Sequence, residues 1–178
     1  ETCGIRKATA LIIVQGGIAG LWHLSPISQS EMCRYVGEEW WPEDDVSDFD
    51  VQIVQSVGED NYYIEATYVP DTGTVMTGTW NSSSGEFNLS TDTSAIEECG
   101  YLFYWDGGVD LCGDAIDCRL ESCRITMNVS GTTSPSVSSL TAESSWYYAV
   151  TFSYQLSSAD RGQTTWECQG SSTLQGSR

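Results

Sequence analysis

Four aspartates follow one another at intervals of four, four and three residues in a segment that begins at Cys99 and ends at Cys118. Several carboxylates held at close range are the ligands that Ca²⁺ takes in proteins. Cysteines at both ends of the segment would hold such a loop in shape. The pattern is more typical of a plain polar loop, so we expect no cofactor. The alternative is a site for one Ca²⁺, and its ligands would be Asp106, Asp110, Asp114 and Asp117.

No arrangement of side chains in the sequence indicates catalysis. His23 is the only histidine, it lies in an apolar stretch, and no Gly-x-Ser-x-Gly turn occurs. A serine–histidine–acid site needs such a histidine beside a positioned serine. Glycoside hydrolysis needs two carboxylates, but a chain with 25 acidic residues always offers pairs. The sequence therefore predicts a protein that is not an enzyme.

The charge of the chain restricts its partners. Seven basic residues stand against 25 acidic ones, and the formal net charge is −18. Nucleic acids and anionic membrane surfaces are bound through basic side chains. We therefore expect no nucleic-acid partner, and an acidic, solvated surface that favours cations or a basic partner.

The cysteine content indicates disulfides and an extracellular or cell-surface location. No Cys-x-x-Cys pair occurs and there is one histidine, so a zinc site is disfavoured. A chain that starts with Glu1 rather than Met is expected of an exported protein whose leader has been removed. An odd number of cysteines leaves one unpaired or bonded between chains, and Cys3 is our candidate. The seven are Cys3, Cys33, Cys99, Cys112, Cys118, Cys123 and Cys168.

Residues 7–24 are the longest nearly uncharged apolar run. Gln15, Gly16 and Gly17 interrupt it well before the roughly 20 apolar residues that a membrane helix needs, so we predict no membrane span. Two strands, 8–15 and 18–24, are expected instead. The first is apolar on both faces and must be covered on both, either by the protein's own core or by a neighbouring molecule. The predicted organisation is an N-terminal arm over 1–17, exchanged with a neighbour, and a single β-domain over 18–178.

The remaining chain predicts an all-β domain. Alternating segments separated by turn residues indicate strands, and 145–156 shows the clearest period of two. Ser25-Pro26 indicates a break followed by a short helix over 27–35. We predict an antiparallel barrel or sandwich of about ten short strands, stapled by disulfides, with minor helix. The other predicted strands are 51–57, 61–69, 74–80, 86–90, 124–129, 163–168 and 171–175.

Two local motifs resemble known families. Gly20-Leu21-Trp22 resembles the N-terminal motif of lipocalins and related up-and-down barrels, and the chain is similar to secreted bacterial lipoprotein-type β-barrel domains. The resemblance implies a barrel and does not specify its ligand. The Asp- and Gly-rich segment 106–117 resembles the calcium loops of thrombospondin type 3 repeats, which implies calcium binding.

Two functions are expected from these features. The first is a secreted structural or interaction protein that assembles with itself into a filament or surface polymer, by adding its N-terminal strand to a neighbour. The alternative is a monomeric lipocalin-like barrel that binds a small apolar ligand or a sugar. Asn-x-Ser sequences make Asn81, Asn88 and Asn128 candidates for glycosylation. The strand residues expected to form the assembly contact are Ala8, Ala10, Leu11, Ile12, Ile13 and Val14.

Overall fold

The computed structural model describes residues 17–42, 48–56, 62–69, 75–96 and 117–178. They form nine strands in chain order: β1 (Gly20–Tyr35), β2 (Trp41–Pro42), β3 (Phe49–Ser56), β4 (Tyr62–Val69), β5 (Val75–Trp80), β6 (Glu86–Thr93), β7 (Asp117–Thr133), β8 (Ser139–Gln155) and β9 (Arg161–Ser177).

The strands form one antiparallel sheet that closes on itself. β3 to β9 follow one another in sequence order, β1 pairs with β3, and β9 pairs back with β1. β2 and β3 lie end to end on the same side of β1, where Pro42 pairs with Met32 and Phe49 pairs with Leu24. The predicted antiparallel all-β fold is confirmed, and the closed sheet is a barrel rather than a sandwich. Within the ring, closure gives each strand two neighbours, so open edges remain only outside the ring.

Strand length divides the barrel into two parts. β7, β8 and β9 have 17 residues each and β1 has 16, whereas β3 to β6 have six to eight. The four long strands therefore continue beyond the closed ring. One apolar cluster fills the ring, around Trp22, Ile64 and Leu140. A second cluster lies on the extension, around Val150, Phe152 and Trp166.

The inward alternation that was predicted for 145–156 is confirmed in β8. Val150 and Phe152 are buried in the second cluster, and β8 starts six residues earlier than expected, at Ser139. Between the two clusters the interior is polar. The hydroxyls of Ser144 and Ser172 are 2.7 Å apart. The carboxylate of Glu31 accepts hydrogen bonds from the indole of Trp146 at 3.3 Å and the hydroxyl of Tyr148 at 3.2 Å. Burying these groups in hydrogen-bonded pairs avoids the cost of leaving them unpaired.

The prediction of a break at Ser25-Pro26 and a helix over 27–35 is wrong. β1 runs through this segment and pairs with β9 from His23 to Tyr35, with a β-bulge between Pro26 and Ser28. The bulge absorbs the proline, which lacks the N–H that a regular ladder needs. Long-range pairing with β9 has overridden the local helix signal. In the same way β9 is one strand over 161–177 rather than two.

The seam between β1 and β9 is fastened at both ends. Cys33 and Cys168 are register partners, fully buried, and form a disulfide with their Cα atoms 4.1 Å apart. At the other end the Arg178 guanidinium donates to the carbonyls of Gly17 and Ala19, at 2.8 Å each. Cys118 and Cys123 each take part in a disulfide as well.

Candidate interaction surface

Most of the residues predicted to form sites lie outside the described ranges. This holds for the assembly residues Ala8, Ala10, Leu11, Ile12, Ile13 and Val14, for the aspartates Asp106, Asp110 and Asp114, and for Cys3, Cys99 and Cys112. The calcium site and the N-terminal contact therefore remain predictions.

Asp117 is the only member of the predicted calcium set within the described ranges. It is the first residue of β7 rather than part of a loop, and its side chain is half exposed. Its carboxylate lies 3.4 Å from the Arg119 Nε, two residues along the same strand. An arginine at this distance competes with a cation for the carboxylate.

Two of the three Asn-x-Ser asparagines project from the outer face of neighbouring strands. Asn88 in β6 and Asn128 in β7 are both exposed, and the register pairs Asn128 with Ser90. Asn81 lies in the turn after β5, where its side-chain oxygen accepts the N–H groups of Ser83 and Ser84. Such a bond between an asparagine and the following backbone fixes the turn.

A shallow polar groove of about 550 Å³ runs across this outer face. Its outward-facing lining is uncharged except for Glu143, and hydroxyl and amide groups provide most of it. The outward-facing residues that line it are Asn88, Ser90, Asn128, Ser130, Glu143, Ser145 and Ser171. Hydroxyl and amide groups of this kind can hydrogen-bond a sugar, but the lining contains no aromatic ring to stack on one.

A partly buried ion pair connects β1 to β9 on the outer face of the extension. The guanidinium of Arg34 bonds one carboxylate oxygen of Glu167, and the hydroxyl of Tyr147 donates to the other at 2.8 Å. The ring of Trp40 covers Arg34, with the guanidinium carbon 4.3 Å from the ring centroid. Burial, and next the bond to Glu167, raise the pKa of Tyr147. These groups satisfy one another's hydrogen bonds and charges, so we infer that the cluster stabilises the fold.

The single histidine lies at the junction of β1 and β3 beside two carboxylates. His23 Nδ1 is 2.9 Å from Asp50 Oδ1, and Nε2 is 3.5 Å from Asp48 Oδ2. The hydrogen bond to Asp50 is the main cause that raises the pKa of His23 above 6.5, and the charges of both aspartates add to it.

We expect the His23 ring, followed by NMR, to titrate with a midpoint above 6.5. A raised pKa stabilises the folded state while the ring is protonated in both states, below the unfolded pKa of about 6.5, and this contribution is lost as the pH rises through the folded value. Asp50→Asn should lower the midpoint. Since no other histidine is present, the assignment is direct. A midpoint below 6.5, or one that Asp50→Asn leaves unchanged, would contradict the observed contact.

Exposed apolar side chains gather on the outer face of β1, β3, β4 and β5, and we call this surface the apolar patch. Leu21, Val54, Tyr63 and Val75 are between 43% and 58% exposed. The register places Val54 directly opposite Glu65, with Tyr63 two residues from Glu65 on the same strand. Val75 pairs with Thr67, which is two residues from Glu65 on the other side. Val54 and Tyr63 thus adjoin one carboxylate, whose other neighbours on this face are Thr67 and Thr77. Gln52 and Thr67 separate Leu21 from Val75.

Glu65 is exposed and forms no ion pair within the described ranges. Arginines elsewhere are engaged: Arg34 bonds Glu167, and Arg124 makes two hydrogen bonds to Asp92. The Arg124 contact holds the pKa of Asp92 below its usual value. An unpaired carboxylate among exposed apolar side chains suits a ligand that is both apolar and cationic.

The strand edge at the start of β7 is protected against strand addition. Residues 119–122 of β7 have a described partner only on the β8 side. Arg119 and Glu121 are exposed there, and a β-bulge lies between Leu120 and Ser122. Charged side chains and bulges are the devices by which proteins prevent edge-to-edge pairing. The apolar patch is thus a better place for contact with another molecule than this edge.

One further group of ligand-type side chains lies inside the barrel. Glu31, Cys33 and Cys168 have ligand atoms within 4.8 Å of one another, but the two sulfurs are joined in the disulfide and are not thiolates. No helix among the described residues is long and apolar enough to cross a membrane. The chain matches no protein-family model and shows no significant similarity to a curated protein.

Proposed function

We propose that the protein is a secreted structural protein that assembles with itself, and that residues 8–14 of one copy bind another copy. The observation that carries the proposal is the closure of the barrel. The ring is complete with strands that begin at Gly20, because β9 pairs back onto β1. The strongly apolar segment at 8–14 is therefore not needed to close the ring, and an apolar segment without that role has to be covered elsewhere.

An extracellular location fits the chemistry of the barrel. The buried disulfide between β1 and β9 is compatible with an oxidising compartment. The exposed Asn88 and Asn128, each in an Asn-x-Ser sequence, would carry glycans on the outer face if the host modifies them. The high negative charge keeps single copies soluble until they join.

The alternative, a barrel that binds a small apolar ligand, receives less support. In the described part of the ring, large side chains occupy the interior, and Trp22, Ile18 and Ile64 are completely buried. A ligand site in the ring would require these groups to move apart. We therefore retain assembly as the proposal.

Removal of residues 1–15 tests the proposal. The full chain should sediment as a polymer, and the shortened chain should remain folded, with a cooperative unfolding transition, but sediment as a monomer. A full-length variant with Leu11, Ile12 and Ile13 replaced by serine should behave like the shortened chain, which separates apolar contact from chain length. If the full chain is monomeric and the shortened chain unfolds, residues 8–14 belong to the protein's own core and the proposal is wrong.

A further inference from the structure

The N-terminal segment has the opposite charge to the rest of the molecule. Residues 1–16 contain Arg6, Lys7 and Glu1 as their only charged side chains, so they carry +1 while the remainder carries −19. Lys7 is the only lysine in the chain, and it directly precedes the apolar residues that start at Ala8. The segment thus combines a cationic pair with an apolar sequence.

The apolar patch has the complementary composition. Glu65 lies at its centre, exposed and without an ion pair in the described residues, with the Val54 side chain opposite it on β3. Leu21, Tyr63 and Val75 are the other exposed apolar side chains of the patch, and Gln52, Thr67 and Thr77 lie between them. Opposite charges within an apolar contact select one partner and one register.

The dimensions of the two surfaces also agree. The patch crosses four adjacent strands, which span roughly 14 Å at the usual strand spacing. An extended segment over residues 8–14 reaches roughly 23 Å. With Lys7 at Glu65, in the middle of the patch, the segment is therefore long enough to reach either margin of the patch with its apolar side chains.

We propose that the apolar patch is the acceptor surface for residues 6–14 of a second copy, with the cationic Arg6-Lys7 pair directed to Glu65. This inference rests on the proposed self-assembly and adds the surface at which it occurs. The donor segment and the acceptor patch are different parts of the chain, so each copy offers one of each. A contact of this kind is heterologous and continues into an open chain of copies unless the rotation between them closes a ring.

Charge exchange between Lys7 and Glu65 tests the inference. Lys7→Glu and Glu65→Lys, each alone, place like charges at the joint, and each should raise the critical concentration for polymerisation about tenfold. In an equimolar mixture every donor again meets an acceptor of opposite charge, so polymerisation should return to within about twofold of the parent. Glu143→Lys, which reverses an equally exposed acid in the polar groove, is the matched control and should have little effect.

Three results would overturn the inference, and only the third of them is also a failure of the proposed function. If Glu65→Lys and Val54→Asp polymerise like the parent, the patch is not the acceptor although self-assembly stands. If polymerisation returns in the double variant Lys7→Glu, Glu65→Lys but not in the mixture of single variants, the segment binds the patch of its own chain. If the parent chain is itself monomeric, the proposed function fails and the acceptor surface with it. Unchanged melting temperatures of the single variants confirm that the fold is intact.

Discussion

Replacing both Cys33 and Cys168 by serine is expected to lower the free energy of unfolding by about 2–5 kcal/mol. The disulfide joins residues 135 positions apart, and cross-links that close long loops remove the most entropy from the unfolded chain. Both sulfurs are fully buried and lie in register across the seam that closes the barrel. The loss is measured by denaturant unfolding, where the midpoint should fall.

The matched control is the double replacement by alanine. It removes the same cross-link without introducing two hydroxyls, so the two variants should lose similar amounts of stability if the covalent bond is the cause. Hydrogen exchange should show the amides of β1 and β9 opening before those of β3 to β6, since the seam lies between the former pair. A loss below 1 kcal/mol in both variants would show that pairing along the seam holds the barrel without the disulfide.

Replacing Trp22 by alanine is expected to cost about 3–5 kcal/mol. The indole is completely buried in the cluster that fills the ring. Its Nε1 donates to the carbonyl of Ile18 at 2.8 Å, and the Arg178 guanidinium lies 5.4 Å from the centre of the ring system. Alanine would leave a cavity and an unpaired carbonyl, and both destabilise the folded state.

Two further variants distinguish the effect of the lost apolar volume from that of the lost hydrogen bond. Trp22→Phe keeps most of the apolar volume but loses the hydrogen bond to Ile18, so it should cost less than alanine, about 1–3 kcal/mol. Leu21→Ala, at the adjacent and exposed position, should change the stability by about 0.5 kcal/mol or less. Equal losses for Leu21→Ala and Trp22→Ala would contradict the assignment of Trp22 to the interior.

The alternation of apolar and polar residues was the sequence pattern that predicted the structure best. In β8 the inward positions include Val150 and Phe152, and in β4 they include Ile64 and Ala66, all of which are buried. A period of two shows directly which side chains face the core, because successive residues of a strand point to opposite faces. The all-β class follows from such segments without knowledge of their partners.

Strand partners and bounds could not be predicted in the same way. Residues 27–35 have a mixed composition and follow the predicted break at Ser25-Pro26, yet they form the second half of β1 because β9 provides a partner along their length. The pairing of Cys33 with Cys168 likewise depends on which strand meets which. Such contacts join residues far apart in sequence, so the preference of a segment for helix or strand does not predict them.

The apolar patch was only partly visible in the sequence. Tyr63 and Glu65 alternate with the buried positions of β4, which indicates that they point outward. Their neighbours Val54 and Val75 come from other strands, and only the register brings all of them around Glu65. The calcium and N-terminal predictions remain to be tested by experiment, as Asp117 alone of those residues lies in a described range.

The clamp of Arg178 on Gly17 and Ala19 has a mechanical consequence. Tension on the chain before Gly17 reaches the barrel just before β1, where Arg178 links Gly17 and Ala19 to the end of β9. A pull along the axis of β1 then loads its hydrogen bonds to β3 and β9 in shear, so many must break together rather than one after another. At the far end of the same strand the Cys33–Cys168 disulfide holds β1 covalently to β9 and prevents the two strands from sliding apart. The strand that carries the N-terminal segment is therefore the one best anchored against being drawn out.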